Sequence, residues 1–194
     1  MRWENLFDDL ESQLAQELGA DEVEILAEEE RLRVGRLALR DRIRSMMQCD
    51  DTLMLDLIDG QRIPLHVRTV ARDWIAGEIS PAGSRRGSCV VPIASIAAVT
   101  PGSEQLMMGL AAPPTGEPTD LSLRLGLSFV LRDLCRRRAT IEVRTRSGHF
   151  FGTIDRVGRD HFDLAEHDPA SPRHNREVTA IRILSTSELA LIRF

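Results

Sequence analysis

Two glycine turns, Asp59-Gly60 and Ser147-Gly148, stand 88 residues apart, each set between short apolar runs. A Gly in a two-residue turn tolerates the positive φ that antiparallel hairpins favour. Ahead of the first turn, Leu53-Met54-Leu55-Asp56-Leu57-Ile58 reads as a strand. Behind it, Ile63 to Val70 alternates apolar and polar residues with the two-residue period of a half-buried strand. Asp73 to Ile79 reads as a third strand and Pro81 to Gly87 as a loop. Cys89-Val90-Val91 then leads through Pro92 to Ile93, Ile96 and Val99. Short strands joined by tight turns predict a small, strongly curved β-unit for this region.

The second turn has similar surroundings. Ile154 to Asp160 (IDRVGRD) parallels Val67 to Asp73 (VRTVARD), with Val, Arg and Asp in matching places. Val178-Thr179-Ala180-Ile181 resembles Ile93-Ala94-Ser95-Ile96, and Leu131-Arg132-Asp133 echoes Leu39-Arg40-Asp41 ahead of each unit. Across the β-region the offset drifts from 88 to 85 residues. Self-similarity on this scale is the mark of a duplicated supersecondary unit.

The first fifty residues are helical in pattern. Trp3, Leu6, Phe7, Leu10, Leu14 and Leu18 follow three-and-four spacing, and Asp21 with Glu24 forms a capping box for a second helix. Leu18, Ile25, Leu32, Leu39 and Met46 recur every seven residues. Their partner positions Glu22, Glu29 and Arg36 are polar, which leaves half of a coiled-coil seam. Such a seam serves dimerisation or helices folding back equally well. Pro113 to Pro118 is the clearest linker, within a proline- and glycine-rich stretch at 101–118 that surrounds Leu106-Met107-Met108. Beyond it, Asp120 can cap a helix with Leu123, Leu127, Val130, Leu131 and Leu134 on one face. The alternation from Leu121 to Phe129 also fits a strand; the helix is preferred because Val130 to Arg138 has no strand character. The expected organisation is α+β: a helical segment at 1–50, a first small β-barrel with the linker start at 51–112, and linker, helix and second β-barrel at 113–194.

The turn, the strand Gly152-Thr153-Ile154-Asp155-Arg156-Val157-Gly158, then Asp160-His161-Phe162 and a late Val-x-x-Ile resemble the Sm-like and SH3-like small barrels. The helix before each unit is similar to the Sm arrangement. The resemblance covers 120–184 best and 34–99 less well, and it implies two tandem small barrels. It does not carry over the Sm-type RNA pocket: Asp160-His161-Phe162-Asp163 lacks the Asn, and Val178-Thr179-Ala180-Ile181 lacks the basic-Gly pair. The opening Arg2-Trp3-Glu4-x-Leu6-Phe7-x-Asp9-Leu10-Glu11 also resembles an actinobacterial family of unassigned activity, loosely labelled a Fis-type regulator. Fis-type DNA binding needs a terminal helix-turn-helix, whereas Leu189 to Phe194 is strand-like.

Net charge is −5, but its distribution is uneven. Residues 1–30 hold eleven acids and one Arg, whereas residues 121–160 hold nine Arg and four acids. Such segregation can mark an interaction surface. Pairing of Glu28, Glu29 and Glu30 with Arg31, Arg33 and Arg36 explains the acidic helix without any partner. All 25 basic residues are Arg, which genomic GC bias explains better than RNA binding does.

No leader pattern or long apolar run is present, and the three cysteines Cys49, Cys89 and Cys135 lack metal-type spacing, so a cytoplasmic chain with free thiols is expected. Five histidines (His66, His149, His161, His167, His174) show no ligand spacing, and no metal or cofactor is expected. Phosphate loops, nucleophile elbows and His-Glu-x-x-His are missing, so the expectation is a non-enzyme without a small-molecule substrate or a membrane partner. The leading expectation is an adaptor or assembly module that binds a protein partner or itself. The alternative is an RNA- or DNA-binding regulator using Arg136, Arg137, Arg138, Arg144, Arg146, Arg156 and Arg159, with Phe150 or Phe151 as a stacking aromatic.

Overall fold

A computed structural model describes residues 23–79, 87–111, 121–168 and 178–194. Two compact units divide at Ala38 and Leu39. In the first, residues 23–35 form helix α1. Arg31 pairs with Glu28 at 3.1 Å and Arg33 with Glu30 at 2.6 Å, so the acidic run is answered within the helix. The Trp3-to-Leu18 helix face, the Asp21 cap and the Pro113–Pro118 linker lie outside the described residues.

The second unit is built on one antiparallel sheet. Helix α2 (Leu39–Met46) leads to strands β1 (Leu53–Leu57), β2 (Arg62–Val70), β3 (Trp74–Ile79) and β4 (Gly87–Pro92). A 3-10 turn, Ile93–Ser95, connects β4 to β5 (Ile96–Thr100), and helix α3 (Ser103–Leu110) follows. After a 3-10 turn at Leu121–Arg124 come helix α4 (Leu127–Arg137) and strands β6 (Thr140–Thr145), β7 (His149–Val157) and β8 (His161–Glu166). The series ends with β9 (Ala180–Ser185), a 3-10 turn at Thr186–Glu188, and β10 (Leu189–Arg193).

The strand order is β5-β1-β2-β3-β4-β10-β6-β7-β8-β9. This corrects the expectation of two small closed barrels. Closing either half would require β4 to pair with β5, or β9 with β10. Instead β4 pairs with β10, and the ten strands form one open sheet. Each half is nonetheless curled. In a flat sheet four inter-strand steps would set β5 about 19 Å from β4. The four residue steps from Pro92 to Ile96 reach at most about 14 Å even when extended, and less as a 3-10 turn.

The first hairpin turn follows from local chemistry. Gly60 takes φ +81, its N–H donates to Leu57 O at 2.9 Å, and the Gln61 N–H donates to the Asp59 carboxylate at 3.1 Å. This is a three-residue loop closed by a left-handed glycine. The second turn closes differently: Thr145 N–H donates to Gly148 O at 2.8 Å, and Gly148 has no positive φ.

Two aliphatic cores meet at the centre of the sheet. Ile43 and Met46 of α2 cover the first, with Leu53, Leu55, Ile63, Leu65, Ile75 and Val91. Leu127, Leu131 and Leu134 of α4 cover the second, with Ile141, Val143, Ile154, Phe162 and Leu164. At the joint the strands serve both. Cys89 and Val91 belong to the first core and Val90 to the second; Leu191 belongs to the first, Leu189 and Ile192 to the second. Successive strand residues face opposite sides, which divides Cys89 and Val91 from Val90 and Leu191 from Ile192; the bulge between Leu189 and Leu191 shifts the phase and sends Leu189 to the second core.

Helix α4 is the helix expected beyond Asp120, but it begins later. Gly126, awkward within a helix, is its N-cap, and the Leu127 N–H donates to the Asp73 carboxylate at 2.8 Å. The Trp74 indole N–H donates to Leu125 O at 3.1 Å and pins the preceding turn. The stretch around Leu106-Met107-Met108, read as part of a linker region, is helical as α3. Its Gln105 side chain accepts from the Gly102 N–H at 2.8 Å, and Gly109 allows close approach to Met46. Among the described residues no helix is long and apolar enough to cross a membrane.

Candidate interaction surface

The halves repeat each other residue for residue in their pairing. Leu57↔Ile96, Asp56↔Ala98, Leu55↔Val99 and Met54↔Thr100 in β1–β5 correspond to Thr145↔Leu189, Arg144↔Leu191, Val143↔Ile192 and Glu142↔Arg193 in β6–β10. Both ladders carry a bulge at the same place. A second bulge, between Val67 and Thr69 in β2–β3, recurs between Ile154 and Arg156 in β7–β8. Bulges are specific features of a ladder, so their coincidence supports the duplication. The final block of the repeat needs correction, however. Ile93–Ser95 corresponds to Thr186–Glu188, a shift of 93 residues, and not to Val178-Thr179-Ala180. The longer β8–β9 connection accounts for the difference.

The joint between halves is β4 against β10. Val90 pairs with Ile192 and Cys89 with Arg193, and Phe194 N–H donates to Ser88 O at 3.1 Å. The buried Ser95 hydroxyl lies 2.7 Å from Pro92 O and 2.9 Å from Ala190 O, tying the 3-10 turn across the joint. An ion pair adds to it: Arg144 Nε lies 2.9 Å from the Asp59 carboxylate, with Asp59 only 4% exposed.

The other arginines singled out by sequence are mostly engaged as well. Arg136 and Arg137 at the end of α4 both reach Asp133, the latter at 2.7 Å. Arg138 takes the left-handed C-cap position and pairs with Asp155 at 3.0 Å. Arg146 lies 3.6 Å from Glu188 and Arg156 3.8 Å from Asp163, while Arg159 is exposed in the β7–β8 turn. The residues therefore spread over helix end, strands and turns, and all but Arg159 lie beside an acid in space. Both aromatic candidates are half-buried: the Arg182 guanidinium covers the Phe150 ring at 4.7 Å, and Phe151 stacks edge-on with His149 at 4.6 Å.

The described histidines do not converge. His66 faces Asp50, His149 faces Glu142, and His161 faces Asp160, whose carboxyl it holds below the usual carboxylate range. His167 is buried against the Thr153 hydroxyl at 2.9 Å, and His174 lies outside the described residues. Among the described residues no three His, Cys, Asp or Glu side chains gather as a metal site. Cys89 is fully buried in the joint, and burial pushes its thiol up to about 12.

Sequence reading missed the two edges of the sheet, β5 and β9, each paired on one side only among the described residues. The β9 edge carries Ile181, 63% exposed, and Ile183, 73% exposed, on one side of the strand. Unpaired edge strands template the addition of another strand, and proteins usually blunt them. The signal was available: Ile181-Arg182-Ile183-Leu184 is a β-branched strand run, but only its start was read, as a closing element. No family model, curated protein or solved structure matches this chain.

Proposed function

We propose that the chain is a non-catalytic assembly module that holds protein by adding a strand to an open edge of its sheet. The observation that carries this reading is β9, an edge strand with two large β-branched side chains exposed. Strand addition draws affinity from main-chain hydrogen bonds and specificity from alternate side chains. The arginines named for a nucleic-acid surface support that alternative less well. All but Arg159 face Asp133, Asp155, Asp59, Glu188 and Asp163, and phosphate binding depends on net local positive potential.

The test is Ile183→Lys in the full chain, used as bait in extract from its own cells beside the wild type. The wild type is expected to retain protein partners, its own copies included, and the variant to lose them at unchanged melting temperature. Equal retention by both refutes the reading. Binding to single-stranded oligonucleotides at several salt concentrations is the companion measurement. The expected outcome is no steep salt dependence. A steep dependence lost on replacing Arg136, Arg137, Arg138 and Arg144 would overturn this reading in favour of nucleic acid.

A further inference from the structure

We infer that the occupant of the β9 edge is a second copy of this chain, whose β5 adds antiparallel to β9 in the register of the internal β4–β10 joint. This rests on the open edges being binding surfaces and commits them to one partner. The duplication supplies the reason. β9 is to the second half what β4 is to the first, because Phe162↔Leu184 repeats Ile75↔Val91 and Glu166↔Ala180 repeats Ile79↔Gly87. β5 is to the first half what β10 is to the second, by the matched ladders and bulges described above. The molecule therefore already contains one joint of this kind and ends in the two half-joints that would make the next.

Burial separates the made joint from the unmade one. Val90 and Ile192, paired at the centre, are buried at 1% and 0% exposure. Their counterparts are Ile183, which is 73% exposed, and Val99, half-buried on the opposite edge. Both are apolar and β-branched on strands whose outer side pairs with no other strand among the described residues. The connecting turns also match: Pro92 and Ser185, at φ −59 and −70 with ψ 136 in both, lead into three-residue 3-10 turns.

Two features of the internal joint are not repeated. Ser95 corresponds to Glu188, whose carboxylate cannot donate to a carbonyl as the Ser95 hydroxyl does. The inter-copy joint thus lacks that buried bond and the Asp59–Arg144 pair's direct equivalent, and it forms reversibly where the internal one is permanent. A head-to-tail contact of this kind generates a ring if its rotation closes and a filament otherwise.

The register makes the inference testable. The internal pairs Val90↔Ile192 and Cys89↔Arg193 map to Ile183↔Val99 and Arg182↔Thr100 between copies. Chains carrying Thr100→Cys and Arg182→Cys are made separately, mixed and oxidised, and cross-linked peptides are mapped by mass. Opposed strand residues lie within disulfide reach, whereas residues two places out of register lie about 7–8 Å apart, beyond it. The expected result is a covalent heterodimer joined at 100–182 in the mixture only, far above an Ala98→Cys with Arg182→Cys control. Light scattering of the wild type is expected to give at least twice the single-chain mass at high concentration, and the single-chain mass for Ile183→Lys. A single-chain mass for the wild type at every concentration, with no cross-link, overturns the inference. If Ile183→Lys then still loses partners from extract, the edge-binding reading survives without it. Multiples of the chain that Ile183→Lys leaves intact, with no 100–182 link, overturn both.

Discussion

Replacing Asp59 by Ala should destabilise the sheet far more than an ordinary turn substitution. Asp59 sits in the first hairpin loop and Arg144 on β6, so their 2.9 Å contact bridges the two halves. Only 4% of the Asp59 side chain and 22% of the Arg144 side chain are exposed. Removing one member of a buried pair strands the other and costs about 3–5 kcal/mol. The partial exposure of Arg144 lets water recover some of that, which moves the estimate to about 2–3 kcal/mol. Loss of the Asp59 acceptor for the Gln61 N–H adds about 1 kcal/mol. The total, about 3–4 kcal/mol, corresponds to a fall in melting temperature of roughly 6–16 °C at ~2–4 °C per kcal/mol. Urea denaturation followed by far-UV circular dichroism measures it directly. Arg144→Met keeps the stem and removes the charge, and Asp59→Ala with Arg144→Met completes a cycle whose coupling should exceed about 1 kcal/mol. A loss below about 0.5 kcal/mol for Asp59→Ala, or additive single effects, would show that the pair behaves as a surface contact and would refute the reasoning.

Three other outcomes are expected. Phe162→Ala empties the fully buried centre of the second core and should cost about 3–5 kcal/mol in the same urea assay. Asp73→Ala removes the cap on the first N–H of α4 and should cost about 0.5–2 kcal/mol, with helix content falling by circular dichroism before the sheet melts. Cys89 has its folded-state pKa raised to about 12 against a usual 9, so the protonated thiol is the form that favours folding. That contribution is complete below pH 9 and is lost as pH rises towards 12. Urea midpoints at pH 8 and pH 10.5 should differ less in Cys89→Ala than in the wild type, and alkylation of native Cys89 should proceed only at the rate of unfolding.

How much was legible in the chain depended on range. Leu53 to Ile79 announced three strands through alternation and the Asp59-Gly60 turn, because hairpin chemistry is written within a few residues. The helix after Asp120 was legible from the spacing of Leu127, Leu131 and Leu134, but its start was not, since its cap is supplied by Asp73 from far away in sequence. The repeat showed in Val157, Arg159 and Asp160 and was then misaligned at Val178 to Ile181. There a similar spelling competed with an insertion that only the strand pairing reveals. The β4–β10 joint left no local signal at all, because pairing between residues about a hundred positions apart is decided by which edges are free. The predicted barrels were wrong for that reason: the curvature of each half is encoded locally, and its closure is not. The surroundings of the arginines were no more legible. Neighbours in sequence suggested a basic groove, while Asp59, Asp155 and Glu188 arrive beside those arginines only through folding.

β10 is synthesised after the other nine described strands, yet it lies in the middle of the sheet. During translation the first half can form its five strands early, and it must then wait, with the inner edge of β4 bare, until Leu189 to Arg193 emerge. Pairing of these ten strands is therefore completed at the centre of the sheet. Over that interval β4 offers a nascent chain the same kind of open edge that β9 offers the finished one. Premature pairing between neighbouring nascent chains on one messenger is the hazard that this topology creates, and slow elongation between Pro92 and Leu189 would lengthen it.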